Sequence, residues 1–331
     1  MNKRLIVIGG GKKKFRDTFE RADGAIGAPW TGATWTISSN AAVNTPTAGG
    51  EDLSNGNMET GDPPTGWPSY SGANLQVDGV ADERTGGAGA QSLDILNLAV
   101  VYGYAKQALD NGSGIWMALG GYGKRINSNP ALILTTSGGT SLGSKVLDTS
   151  GSWTYGYFVA RTSGAACVFR CAQQANTNGA NCRFDDVTAI PLTLSTLLCT
   201  TPINYFNAAV SVGITFDAGS GVQAGLILNL DSTSSPANFI LVYCNRVDNK
   251  IYVDECVAGT YTNKAATAYT YAAGAALLAR KSSPTTVSVT YNSAAVGTAI
   301  TVTSNTNKLF GMFSTGSATQ AQFDNFSLVP A

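Results

Sequence analysis

Along most of this chain, apolar and polar residues alternate in short stretches, and a turn residue interrupts each stretch before a helical period can build. "RLIVI", "VVYGYAKQAL", "SGIWMALGGYG", "CRFDDVTAI" and "AQFDNFSLV" are such runs, bounded by Gly, Asn, Asp, Ser or Pro. A period of two places alternate side chains on opposite faces of a strand. The pattern therefore predicts many short strands joined by turns, an all-β chain of sandwich or jelly-roll type.

Two stretches read as openings and two as closings. "DTFERADGAIG" from Asp17 and "LSNGNMETGDPPTGW" from Leu53 each place an acidic, glycine-rich turn ahead of a Trp-bearing strand. "CRFDDVTAI" at 182–190 and "AQFDNFSLV" at 321–329 both set Phe-Asp-Asp/Asn before alternating apolar positions. The order is open, open, close, close, so two β-sandwich domains are expected, the second inserted in a loop of the first. Insertion into a surface loop costs little, because closure entropy grows slowly with loop length. The expected partition is an N-terminal strand and hinge over 1–14, an outer sandwich over 15–47 and 191–331, and an inserted jelly roll over 48–190.

Composition narrows the chemistry. The 331 residues include 21 basic and 21 acidic side chains, so no net field draws the chain to nucleic acid or to an anionic membrane surface. No apolar run approaches the roughly 18 residues of a membrane helix, so no membrane insertion is expected. Histidine is absent altogether, which excludes Ser-His-Asp and Cys-His nucleophile systems and His-containing zinc sites. The six cysteines form no Cys-x-x-Cys pair. Cys171 with Cys182, or Cys244 with Cys256, are spaced to lie on neighbouring strands, so either disulfides or small buried thiols are expected.

"RLIVIGGGKKKF", residues 4–15, invites a nucleotide-loop reading that fails on spacing. Counting from Gly9, the sixth position is Lys14 where a dinucleotide fingerprint needs Gly, and no Ser or Thr follows the lysines as a P-loop requires. "LIVI" is also shorter than a secretion signal's apolar core. Two readings stay open: an ordinary first strand, or an assembly arm on a "GGGKKK" hinge that pairs with a sheet edge in this subunit or a neighbouring one.

The segments "LSNGNMETGDPPTGW", "DERTGGAGAQSLDI" and "FDDVTA" resemble the jelly-roll carbohydrate-binding modules found on xylanases and related glycanases. "DTFERADGAIG", "AGLILNLDSTSSPANFILVYCNRVDNKIYVDECVAGTYT" and "LFGMFSTGSATQAQFDNFSL" resemble laminin G-like or concanavalin A-like sandwiches. The first resemblance implies glycan held on aromatic faces. Tyr102, Tyr104, Trp116 and Tyr122 are the carbohydrate-binding candidates, with packing in the core as the alternative for such period-two aromatics. Trp67 and Trp153 are assigned to the core. The same resemblance implies a structural Ca²⁺ held by Glu59 with Asp185 or Asp186; the alternative is that these acids cap a strand-end turn.

Proteins that combine such domains resemble bacteriophage virion components or extracellular surface proteins. The expectation is a non-enzymatic structural and adhesion protein on a virion surface, in a capsid decoration, tail or fibre. Its partners would be other virion proteins or copies of itself, and a host-surface glycan. A bacterial extracellular glycan-binding protein is the alternative. A glycanase would need two carboxylates facing one cleft roughly 5 to 9 Å apart. Asp254 and Glu255 are adjacent and so point to opposite faces of a strand, and no catalytic residue is assigned.

Overall fold

The computed structural model describes residues 4–7, 14–62, 64–68, 75–80, 87, 89–109, 111–163, 166–199, 203, 205–316 and 320–331. Every regular element among them is a strand. The chain forms two compact units: one comprises 1–47 and 194–331, the other 48–193. The second unit is thus continuous in sequence and interrupts the first, with its boundary three residues beyond the expected 190.

The inserted unit is a sandwich of a five-stranded and a four-stranded sheet, all neighbours antiparallel. Strand Trp116–Arg125 lies between Thr154–Arg161 and Asn181–Leu192 in the five-stranded sheet. Between the sheets stand Phe158, Phe169 and Phe184, none of them exposed, with Trp67 edge-on to Phe169. The unit's two ends are clasped together: Gly49 donates its amide to the carbonyl of Pro191 (2.8 Å), and Ala48 bridges to Leu192.

The outer unit pairs an eleven-stranded with a seven-stranded sheet. One end of its core is an aromatic cluster in which Trp30 meets Phe326 edge-on at 4.8 Å and Phe15 at 5.5 Å. Asp17 is buried within it. Its carboxylate accepts from the Phe19 amide, from both terminal nitrogens of Arg21 and from the Trp30 indole (2.7–3.1 Å). Phe19 is held at φ 55°, a conformation that a bulky side chain adopts only when its surroundings impose it.

Phe-Asp-Asp/Asn does the same thing in both units. Asp186 (φ 45°) and Asn325 (φ 55°) are left-handed, and each gives its amide to the preceding aspartate, at 2.8 and 2.7 Å. At each place the ladder slips, so that two residues oppose one on the neighbouring strand: Asp186 and Val187 oppose Gly121, and Asn325 and Phe326 oppose Val212. This is a β-bulge, with short polar side chains where φ must be positive. Gly121 is required opposite the first, because a Cβ there would lie 2.6 Å from Val187.

Two open alternatives are decided and one expectation, for Trp153, is corrected. All six cysteines are buried free thiols. Cys244 stands opposite Ile251, whereas Cys256 stands opposite Phe239, so that pair is out of register. Trp67 is in the core, but Trp153 is half-buried, with the Lys124 ammonium 5.9 Å from its ring centre. Strand Arg4–Val7 pairs antiparallel with Lys14–Asp17 of the same chain, so it has an in-chain partner. The expected "GGGKKK" hinge lies, apart from Lys14, outside the described residues.

Candidate functional site

The four aromatic candidates do not form one platform. Tyr104 begins strand Tyr104–Leu109 at the edge of the four-stranded sheet and is buried with Ala131, Ile133 and Ala172, the Arg170 guanidinium 4.2 Å from its ring centre. Tyr102 precedes that strand and is exposed, its ring 6.3 Å from that of Tyr104. Trp116 is buried, with Arg161 over its ring at 5.5 Å. Only Tyr122 looks outward from the five-stranded sheet.

There Tyr122 has neighbours that the sequence pattern did not single out. Opposite residues on paired strands share a face, and Tyr122 is opposite Tyr155 while Gly120 is opposite Tyr157. The Tyr122 and Tyr155 rings lie 5.1 Å apart at 58°, and Tyr155 is 51% exposed. On the other side Gly120 faces Thr188 and Tyr122 faces Asp185. Gly120 makes the floor: a Cβ there would lie 2.5 Å from the Tyr155 hydroxyl and 3.4 Å from that of Thr188. The missing side chain lets the Tyr155 phenol lie across the strand. Gly156 does the converse on the core side, where a Cβ would meet Leu147 at 2.2 Å.

Burial, then the neighbouring Tyr122 phenol, raises the pKa of Tyr155; burial and Tyr155 raise that of Tyr157. Both therefore stay neutral, able to donate and accept hydrogen bonds. The face thus offers apolar ring surfaces beside hydroxyls at Tyr155, Tyr157 and Thr188. Such a face suits a ligand with C–H patches and hydroxyl groups. Asp185, opposite Tyr122, is buried, and at the margins Arg183 pairs with Asp94 at 2.9 Å and Lys124 lies over Trp153.

The acids proposed for calcium are engaged in backbone bonds. Glu59 accepts the amides of Ala90 (2.8 Å) and Gln91 (2.9 Å), one on each oxygen, and so pins the turn ahead of strand Ser92–Asn97. Asp185 accepts the amide of Asp186 inside the bulge. Among the described residues no group of three or more acidic or thiol side chains converges. The two acids weighed for glycanase chemistry are also engaged: Asp254 with the Tyr243 hydroxyl (2.7 Å) and Asn263 (2.8 Å), Glu255 with Lys264 (3.1 Å) and the Thr303 amide (2.7 Å).

The chain matches no family model and no curated protein. Among solved structures, it is similar to the carbohydrate-binding module CBM66 from Bacillus subtilis, at 14% identity and a TM-score of 0.34, over 40% of this chain and 80% of that one. The tandem CBM22 domains of Xyn10C from Paenibacillus barcinonensis match at 12% identity and 0.34, over 86% of this chain and 98% of that one. Tailspike protein 4 of bacteriophage CBA120 matches at 12% identity and 0.35, over 43% of this chain but only 21% of that one. Scores this low fix neither fold nor ligand.

Proposed function

We propose that this chain is a non-enzymatic glycan-binding structural protein, and that the outer face of the inserted five-stranded sheet is its glycan site. The observation that carries the reading is the pair of half-buried Tyr122 and exposed Tyr155 over the Gly120 floor, flanked by neutral hydroxyls. Tyr122 and Tyr155 stack on the C–H faces of sugar rings; Tyr157 and Thr188 bond their hydroxyls. The ligand is a neutral polysaccharide segment, since the cations of this face are engaged, Arg183 with Asp94, Lys124 over Trp153 and Arg161 over Trp116.

The combination of a laminin G-like outer sandwich with an inserted carbohydrate-binding-type module, which resembles bacteriophage virion components, supports a finer reading. In it the protein sits on the surface of a phage particle, bound to other virion proteins or to further copies of itself, with a host-surface glycan as its target. Affinity electrophoresis in gels cast with neutral polysaccharides, alongside chromatography of the same mixtures for released sugar, tests the binding role. Retardation by at least one polysaccharide, lost in Tyr155→Ala and unaccompanied by product, is expected. No retardation by any polysaccharide, or release of oligosaccharide, overturns the reading.

A further inference from the structure

The outer unit carries a second opening, built from different residues. Strands Ala208–Phe216, Ala321–Pro330 and Ala41–Asn44 run side by side, with Thr215 opposite Gln322. Gln322 and Asp324 are two apart and rise from one face, while Phe323 between them is turned into the core, 0% exposed. A pocket of about 670 Å³ opens on that face. Thr215, Gln322 and Asp324 form its floor, Glu20 and Arg21 one wall, and Ser39 and Asn40 another.

The walls are held before any ligand arrives. Arg21 donates to both oxygens of Asp17 (2.7 and 3.1 Å) and to the Ile26 carbonyl (3.2 Å), which commits its charge to Asp17. Ser39 and Asn40, at φ 51° and 64°, make the two-residue turn between strands Trp35–Ser38 and Ala41–Asn44, and the Ser39 amide is fixed to Asp23 at 2.9 Å. Preset walls spare a ligand the entropy of ordering them.

The lining selects the ligand by exclusion. Carboxylates at Glu20 and Asp324 repel anions; burial, then the charges of Glu20 and Asp17, pull the Asp324 carboxyl upward. The one aromatic side chain of the lining is Phe323, whose ring is buried, so a flat aromatic ligand has nothing to stack on. What is left is a set of acceptors with a few amide and hydroxyl donors, in a volume within the usual range for small-molecule sites. We propose that this pocket binds a neutral, hydroxyl-rich ligand, the terminal ring of a sugar, separately from the tyrosine face.

Saturation-transfer NMR of the full chain with glucose, galactose, mannose, xylose, fructose and glucuronate tests this, beside a titration with CaCl₂ alone. At least one neutral sugar is expected to receive saturation, with its Kd raised about tenfold in Glu20→Gln and in Gln322→Ala. Glu20 is exposed, so an unchanged melting temperature separates lost binding from lost folding. The proposal is overturned if no neutral sugar binds, if both variants bind as the parent does, if glucuronate binds as tightly, or if calcium alone binds and Glu20→Gln abolishes it. Sugar binding that disappears with Tyr155→Ala assigns the signal to the tyrosine face and overturns it equally.

Discussion

Gly120→Ala separates the binding face from the fold. The added methyl would lie 2.5 Å from the Tyr155 hydroxyl and 3.2 Å from the ring carbon that bears it. Carbon and oxygen need about 3.5 Å, so the phenol must retreat by about 1 Å. The obstacle is the far end of an exposed side chain, so the ring swings and the strand stays. Alanine is also less costly than glycine in a strand, by roughly 0.5 to 1 kcal/mol, which offsets residual crowding. The melting temperature should therefore move by less than about 4 °C. Glycan affinity should fall, because a well-placed aromatic contact contributes about 0.5 to 1.5 kcal/mol, or roughly two- to tenfold in Kd. Calorimetric titration of the parent, Gly120→Ala, Tyr155→Ala and the double variant should give losses that do not add, since both substitutions remove the same ring. Parent-like affinity in Gly120→Ala beside a loss in Tyr155→Ala, or strictly additive losses, would refute the geometry.

Three further outcomes follow from buried groups. Lys281 is fully buried and donates to the Asn305 carbonyl, and burial brings its pKa from 10.5 down to about 8. The unfolded chain then holds a proton that the folded one has released, so stability should rise between about pH 8 and 10.5, by up to ~3 kcal/mol. Denaturant melts of the parent minus Lys281→Met should show that rise; a flat difference refutes it. For Asp17, burial alone would raise the pKa, but bonds from Arg21, Trp30 and the Phe19 amide outweigh it and hold the carboxyl below 3.8. Its stabilisation is present above the unfolded value and lost as pH falls through the lower folded one. Asp17→Ala, which strands the Arg21 guanidinium, should cost about 3 kcal/mol at neutral pH and progressively less as pH falls through the folded value; a loss that does not change with pH contradicts this. Finally, Ellman's reagent should find no reactive thiol in the native chain and six in denaturant, whereas a smaller denatured count would mean a disulfide.

Period-two patterning made the strands legible, and the Phe-Asp-Asp/Asn segments do lie in long strands, Asn181–Leu192 and Ala321–Pro330. What it could not convey is which side of a strand faces the core. Tyr102-Gly-Tyr104 and Tyr155-Gly-Tyr157 are identical in spacing, and the first ring of each is exposed, yet Tyr104 is buried under Arg170 while Tyr157 is half-buried on the face that Tyr155 shares. Trp116 and Tyr122 share a strand face, but Trp116 is buried and Tyr122 only half-buried. Glu59 and Asp185, acids near strand ends, each accept neighbouring amides, contacts that a sequence does not display. The bulge, by contrast, has a local cause in short polar residues at Asp186 and Asn325, and so repeats in both units.

The most direct test of the central claim is a microarray of neutral glycans probed with the parent chain and with a Tyr122→Ala/Tyr155→Ala variant of matched melting temperature. Binding of the parent to a defined set of glycans, gone in the double variant, is the predicted result. Identical profiles for the two proteins, or no bound glycan for either, would contradict it.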